Sequence, residues 1–466
     1  MIAGVETQIS EVEELLVEAR SRDRRTLVSV TSEVEVDDPT AAVFASRRAG
    51  DRWFCWEQPD RDRFAIAGLG SAHDVVSRGK ARFAEVAEAC SSVARDRIAD
   101  EPGDLPAGVG PVWVGGFAFG PKGGSEPHWS SYPPAMLTLP ELVLTRVGDN
   151  TYLTTCAVSD AETEPDASRA RLVARLNSLR SDPLPLLDPH PTGASRIASV
   201  TAPNRYEAAV EAATERISAG DLEKVVLARE VTVEAPAAHD PAAVFGALRE
   251  LFPSCFCFCC GTPEGAFLGA SPELLVRRTG AGAATVGLAG SSRRSADPAV
   301  DDHLGEQLRR SAKDRSEHDI VVRRIKRSLS PYAVWVEAGS EPGLVKVANI
   351  QHLATPIHAQ LAEPRSAVEL AGLLHPTPAV GGEPREPALE AMAELEGMDR
   401  GWYAGPVGWM DAAEDGEFCV AIRSALLRDR TAHVFAGNGI VADSDPAAEL
   451  AETEVKLGAL LPLLAG

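Results

Sequence analysis

Gly437 to Lys456 reads GNGIVADSDPAAELAETEVK, a glycine turn that leads into an acidic, helix-forming run. Asp443, Ser444 or Asp445 can cap that helix, and Pro446 suits its first turn. At about 100° per residue, Glu449, Glu452 and Lys456 fall on one stripe, while Leu450, Val455 and Leu457 lie around the other sides and can bury. Such a stripe fits a solvated helix face held by i,i+4 pairing. It also fits a cation site, because two carboxylates on one face suit Mg²⁺, which keeps its other positions for water and substrate oxygens.

A second stretch of the same kind lies upstream. In SAKDRSEHDIVVRRI, Ser311 to Ile325, the residues Lys313, Asp314 and Glu317 share a helical face, and Ile320, Val321 and Ile325 form an apolar one. Two acidic helices facing each other across a cleft can each give one carboxylate to a metal. Two single residues add chemistry. Lys224 opens KVVLAR, a run whose flanks should be buried; burial penalises an ammonium and can make a lysine a base. A snorkelling lysine, its head in water, is the other reading. Glu273, in SPELLV, precedes apolar residues; a carboxyl in such surroundings stays protonated and can serve as an acid, whereas a solvated turn glutamate would not.

Composition sets the outer bounds. With 466 residues, 44% hydrophobic and 24% charged, the chain can bury one large core or two moderate ones. A net charge of −22 argues against nucleic acid or an anionic membrane as partner, though a small anion needs only a locally basic pocket. The N-terminal MIAGVETQISEVEELLVEAR is acidic where an export signal is basic, and the longest apolar run, LGALLPLLAG, is too short to span a bilayer, so a cytoplasmic protein is expected. Eight cysteines are too sparse for a disulfide scaffold. In CFCFCC, Cys255, Cys257 and Cys259 should face one side of a buried strand and Phe256, Phe258 and Cys260 the other.

Residues 1–195 read as a structural half: strands and turns, a helix over 81–99, a glycine-broken strand in PVWVGGFAFG, and a Pro-rich linker, SDPLPLLDPHPTGAS, at 181–195. Residues 196–466 carry the chemistry. Helices are predicted over 205–219 and 241–251, strands in KVVLAREVTVEA, FLGASPELLVRR, ATVGLAGSSRR and VKVANIQHLATPIHAQL, one long helix from Asp301, a stiff loop at HPTPAVGG, and a hairpin from Gly401. The order of elements predicts an α+β (mixed α/β) fold with large, mainly antiparallel sheets flanked by helices.

The succession KVVLAR, FLGASPELLVRR, LAGSSRR, SAKDRSEHD, NIQHL, HPTPAVGG, WYAGPVGW with AIRSALL, and AGNGIVADSDPAAELAETEVKL closely resembles the chorismate-utilising enzymes. These include isochorismate, salicylate, anthranilate and aminodeoxychorismate synthases. The resemblance covers Arg205 to Leu464; before it only Gly-Gly-Phe-Ala-Phe matches, more loosely. It implies Lys224 as the base that activates water and Glu273 as the acid that protonates a departing hydroxyl. It implies Glu317 and Glu452 as Mg²⁺ ligands, with Asp314 and Glu449 in the outer shell, where the family commonly has glutamates. Arg423 and Tyr403 would hold the enolpyruvyl carboxylate, Gly290, Ser291, Gly437 and Lys456 would line the site, and His352 would lie near the enolpyruvyl group. Chorismate carries two carboxylates, so a metal can take one and the fork of Arg423 the other.

Within that family Lys224 argues for a water user, and Ala379, where pyruvate-eliminating relatives have threonine, for an isochorismate synthase. A salicylate synthase, or a silent ligand-binding homologue, are the other readings. Two departures, Gly381-Gly382 and the absence of Pro-Arg-Gly after LAG, touch no expected catalytic residue. The resemblance implies a product for menaquinone or a catechol siderophore, and the residues leave both routes open. They also leave the oligomeric state open, a monomer being compatible.

Overall fold

The strand Lys224–Glu234 is buried along almost its whole length, as its run of Val and Leu requires. It pairs antiparallel with Thr431–Ile440, which sets Ala228 opposite Gly437 and Val226 opposite Gly439. The structure is a computed structural model that describes residues 5–22, 24–159, 165–188, 192–347 and 350–466. Around this pair grows a 13-stranded sheet. It runs from Arg196–Ser199 through Lys224–Glu234, Thr431–Ile440, Ser424–Arg428, Gly265–Ser271 and Phe256–Thr262 into Trp53–Gln58, Phe64–Leu69, Leu142–Val147, Asn150–Ser159, Thr26–Val34 and Arg97–Asp100, and the two-residue Gly382–Glu383, paired to Lys224–Glu234, is the thirteenth strand. The last pairing, Thr26–Val34 with Arg97–Asp100, is parallel, against an antiparallel run before it.

A 10-stranded sheet faces it. Its order is Ala333–Ala338, Ile350–Leu361, Gly282–Arg293, Leu274–Thr279, Gly416–Val420, Pro406–Asp411, Val112–Phe117, Ala135–Leu139 and His73–Ser77, with Gly343–Lys346 also paired to Ile350–Leu361 as the tenth strand. The core lies between the sheets, where Trp56, Phe258 and Phe267 of one pack with Leu137, Val407 and Phe418 of the other. Both sheets take strands from either side of residue 195. Within the predicted linker no helix or strand is assigned to 181–188 or 192–195, and 189–191 lie outside the described residues.

The Cys/Phe strand alternates as its sequence predicts. Phe256, Phe258 and Cys260 join the core between the sheets, while Cys255, Cys257 and Cys259 pack on the outer face under the helix Pro241–Leu251. All eight cysteines are buried and free. Three expectations need correction. The helix over 81–99 stops at Arg95, because Arg97–Asp100 is drawn into the sheet beside Thr26–Val34. The long helix from Asp301 is two, Pro298–Arg310 and Ala312–Leu329. Ser311 breaks it by leaving helical dihedrals and accepting the Asp314 N–H on its Oγ at 3.2 Å. Val455 stays exposed, since its helix buries the sides that carry Glu449, Thr453 and Leu457.

Twice the chain steps between sheets at the same place. Gly265–Ser271 belongs to the larger sheet and Leu274–Thr279 to the smaller, so Glu273 sits in the crossing. Gly416–Val420 and Ser424–Arg428 make the reverse step beside it, with Arg423 in the crossing. The Val420 N–H donates to Glu273 O at 3.0 Å and the Ser271 hydroxyl to Val420 O at 2.6 Å, which ties the two crossings together.

Candidate active site

These crossings open on a pocket between the ends of the sheets. Glu273, Gly290, Ser291, Asp314, Glu317, His352, Ala379, Tyr403, Arg423, Gly437, Glu449, Glu452 and Lys456 all line it. Lys224, fully buried, stands behind the lining with its Nζ 2.8 Å from Glu317 Oε1. The acidic helices therefore do face each other. The helix Pro446–Leu457 is capped by Asp445, whose Oδ1 accepts the Ala448 N–H at 2.8 Å, and it directs Glu449, Glu452 and Lys456 inward. Gly290 makes a bulge in its strand at φ +72, and a Cβ there would stand 3.0 Å from that of Asp314.

Each ionisable group has a distinct environment. Burial raises the Glu273 carboxyl to about 7 against the pull of Lys224, Thr377 and Arg423. Burial also raises Glu452, but the Lys456 ammonium at 2.8 Å and the Ser291 hydroxyl at 2.5 Å outweigh it and hold that carboxyl at about 2. Glu449 is pushed up by burial and by Glu452, and it accepts from Ser444 Oγ at 2.7 Å and Lys313 Nζ at 3.2 Å. Asp314 is raised by burial. Burial and the nearby Arg423 and Lys456 lower His352 to about 3, so its imidazole is neutral. Its Nδ1 donates to Gly290 O at 3.2 Å, which leaves Nε2 a buried acceptor without a partner. Burial pushes the Tyr403 phenol up to about 12, and its ring stacks on Phe435 at 5.1 Å.

Arg423 is the pocket's bare cation. Its φ of +50 is a conformation that side-chain-bearing residues seldom adopt, and its buried Nη2 has no hydrogen-bond partner. A buried guanidinium left so is costly unless an anion takes it up. The lysines are paired, Lys224 with Glu317 and Lys313 with Glu449 across the space, and Lys456 with Glu452 along one helix. At about 80 Å³ the cavity is below the ~300–1,000 Å³ of ordinary ligand pockets, as such pairing across it would make it.

A family model described as "Chorismate binding enzyme" matches residues 13–465. The chain belongs to the chorismate-binding enzyme family. Among relatives, it is 38% identical over 450 residues to the "Salicylate biosynthesis isochorismate synthase" of Pseudomonas aeruginosa, covering 96% of this chain and 92% of that one. It is 33% identical over 464 residues to the "Isochorismate synthase MenF" of Bacillus subtilis, with 98% and 97% covered. Its structure resembles that of the menaquinone-specific isochorismate synthase MenF of Escherichia coli, at a TM-score of 0.79, 27% identity, and coverage of 98% of this chain and 100% of that one. Component I of anthranilate synthase from Streptococcus pneumoniae shares the fold, at a TM-score of 0.64, 21% identity, and coverage of 86% and 92%.

In this chorismate-binding enzyme the structure adds residues that the sequence reading passes over. Arg400 lines the pocket, and its guanidinium is shared among Glu396, Val380 O at 2.8 Å and Val226 O at 3.1 Å. Glu396 also accepts the Ala228 N–H at 2.8 Å, so the pair clamps the HPTPAVGG loop to the Lys224 strand. Asn438 donates to Glu449 and accepts Lys456 Nζ at 2.7 Å on its Oδ1. Gly439 is needed for its lack of a side chain: a Cβ would meet Glu317 Oε1 at 2.4 Å and Lys224 Cε at 2.6 Å. Gly439→Ala should therefore force the Lys224–Glu317 pair apart and cost about 1–3 kcal/mol, as overpacking does. Thermal unfolding checks this, and an unchanged melting temperature would mean that the two side chains move aside freely.

Proposed function

We propose that this enzyme is an isochorismate synthase, which adds water at C2 of chorismate while the ring double bonds shift and the C4 hydroxyl leaves. The observation that carries the reading is Glu273: an acid held near pKa 7 by burial, in the same pocket as a bare guanidinium and within electrostatic reach of buried Lys224. Lys224 takes the proton from water and Glu273 gives one to the departing hydroxyl, so protons balance and no redox partner is needed. Arg423, with Tyr403 beside it, holds the enolpyruvyl carboxylate. His352, neutral at Nε2, accepts a hydrogen bond near that group, and Gly290, Ser291, Gly437 and Lys456 shape the wall.

The donor set fits Mg²⁺. With Arg400 neutralised by Glu396, four carboxylates, Asp314, Glu317, Glu449 and Glu452, stand against four cations, Lys224, Lys313, Arg423 and Lys456, so a dianionic substrate would leave two negative charges uncompensated. Hard oxygen donors suit a hard divalent cation, which Glu317 and Glu452 would hold, with Asp314 and Glu449 behind them. Bound there, it would neutralise the ring carboxylate of the substrate.

Among the described residues the half up to residue 195 gives none to the pocket lining, which supports a structural role for it. Buried, unpaired cysteines support a cytoplasmic setting; among the described residues no helix is long and apolar enough to cross a membrane.

Purified protein with chorismate and Mg²⁺ should yield isochorismate with little salicylate or pyruvate, resolved by chromatography. Pyruvate released in step with chorismate loss would make it a salicylate synthase. Ala379 lines the pocket, in the loop whose Thr377 hydroxyl lies 3.5 Å from Glu273 Oε1. Elimination needs the C2 hydrogen and the ether to align, and a methyl and hydroxyl at this position would change how the ether lies. Ala379→Thr is therefore expected to raise the pyruvate fraction.

A further inference from the structure

We propose that the cleft behind His375 and Pro376 is a second ligand site, one that takes a small ring-bearing carboxylate. The cleft has a volume of about 580 Å³, inside the ~300–1,000 Å³ range of small-molecule sites. Phe119 lines it but not the catalytic pocket, with the Arg400 guanidinium 4.4 Å over its ring, and Arg400 belongs to both walls.

Charge sets the ligand's sign. Five cationic side chains line the cleft, Lys80, Arg82, Lys122, Arg385 and Arg400, against the carboxylates of Glu386, Glu396 and Asp399. Arg400 and Glu396 bind each other, and Asp399 accepts the Gly401 N–H at 2.8 Å and the Ser125 hydroxyl at 2.7 Å. Among the described residues no ion pair engages the other four cations, although the chain carries a net charge of −22. Burial and neighbouring Arg385 hold Arg82 down at about 10. Arg82 Nε and Arg385 Nε are buried donors without a partner. Four cations outside any ion pair face one further carboxylate, Glu386, which acts on Arg385, and this surplus of positive charge with two idle guanidinium donors is arranged as an anion site is. Phe119, Leu389, Met392 and Met398 supply the apolar wall that a ring would cover.

The cleft also touches the loop that borders the catalytic pocket. Arg385 Nη2 donates to His375 O at 2.7 Å, and His375 Nε2 donates to Phe119 O at 2.9 Å. Two residues on, Thr377 approaches Glu273, and Ala379 lines the catalytic pocket. An anion drawn to Arg385 thus acts on a group that positions this loop.

Calorimetric titration of the full chain at low ionic strength, with benzoate and separately with inorganic phosphate, tests the site. Benzoate should bind wild type and Arg423→Met alike. Arg385→Gln should weaken it by roughly 10–100-fold, as loss of a charge-assisted hydrogen bond does, and Lys80→Ala/Lys122→Ala by about 2–5-fold. Lys80 and Lys122 are exposed, so the double variant keeps its fold and decides the matter even if the others do not. Equal benzoate affinity in wild type and the lysine variant would overturn the cleft as the site. Binding that vanishes in folded Arg423→Met would move it to the catalytic pocket. Phosphate binding without benzoate binding would overturn the ring-bearing class.

Discussion

Turnover is expected to fall by roughly 10²–10⁴-fold in Lys224→Ala, and by a similar factor in Glu273→Gln, the range for loss of a positioned proton donor or acceptor. The two act at opposite ends of one displacement, so the double variant should be little worse than either single one. The pH dependence separates them. Glu273 must be protonated to act, and with its carboxyl raised to about 7 by burial, turnover should decline as pH rises through about 7. Glu273→Gln should lack that limb. The same shift has a stability counterpart. A carboxyl raised by folding above its ordinary value of 4.5 contributes stability that is complete below 4.5 and lost as pH climbs through about 7. Wild type should therefore lose melting temperature relative to Glu273→Gln across that window. A Lys224→Ala protein with wild-type turnover would remove Lys224 from the proton transfer.

Much of the site was legible because helical spacing is local. Glu449, Glu452 and Lys456 share a face whatever the helix packs on, and Asp445 caps it as its position before Pro446 suggests. That the other acidic helix faces it is a tertiary fact, supplied in the reading by motif order rather than by periodicity. The break at Ser311 had a signal, a serine three residues before Asp314, which the apolar period of the longer run obscured. Arg400 and Glu396 stand four apart, a spacing common on solvated helix faces that drew no reading from the sequence; only their burial turns them into a clamp. The sharing of both sheets across residue 195 was not legible, because strand pairing over hundreds of residues leaves no trace in local pattern.

The largest loss besides proton transfer should follow removal of the carboxylates proposed for Mg²⁺. Glu317→Gln and Glu452→Gln each take an anionic oxygen from a cation that depends on such donors, and each also frees a lysine, Lys224 or Lys456, from its counter-charge. The pocket would then hold surplus positive charge, which opposes a divalent cation. Apparent Mg²⁺ affinity should therefore fall by more than the ~10–100-fold that loss of an outer partner costs, while Asp314→Asn and Glu449→Gln should stay within that range. Excess Mg²⁺ should restore turnover only in part, because the lysines remain misplaced even when the metal is forced in. Titrating Mg²⁺ against turnover and against calorimetric heat resolves the order. If Glu317→Gln and Glu452→Gln both turn over normally at low Mg²⁺, their carboxylates serve only as counter-ions to Lys224 and Lys456, and the metal, if used, is held elsewhere.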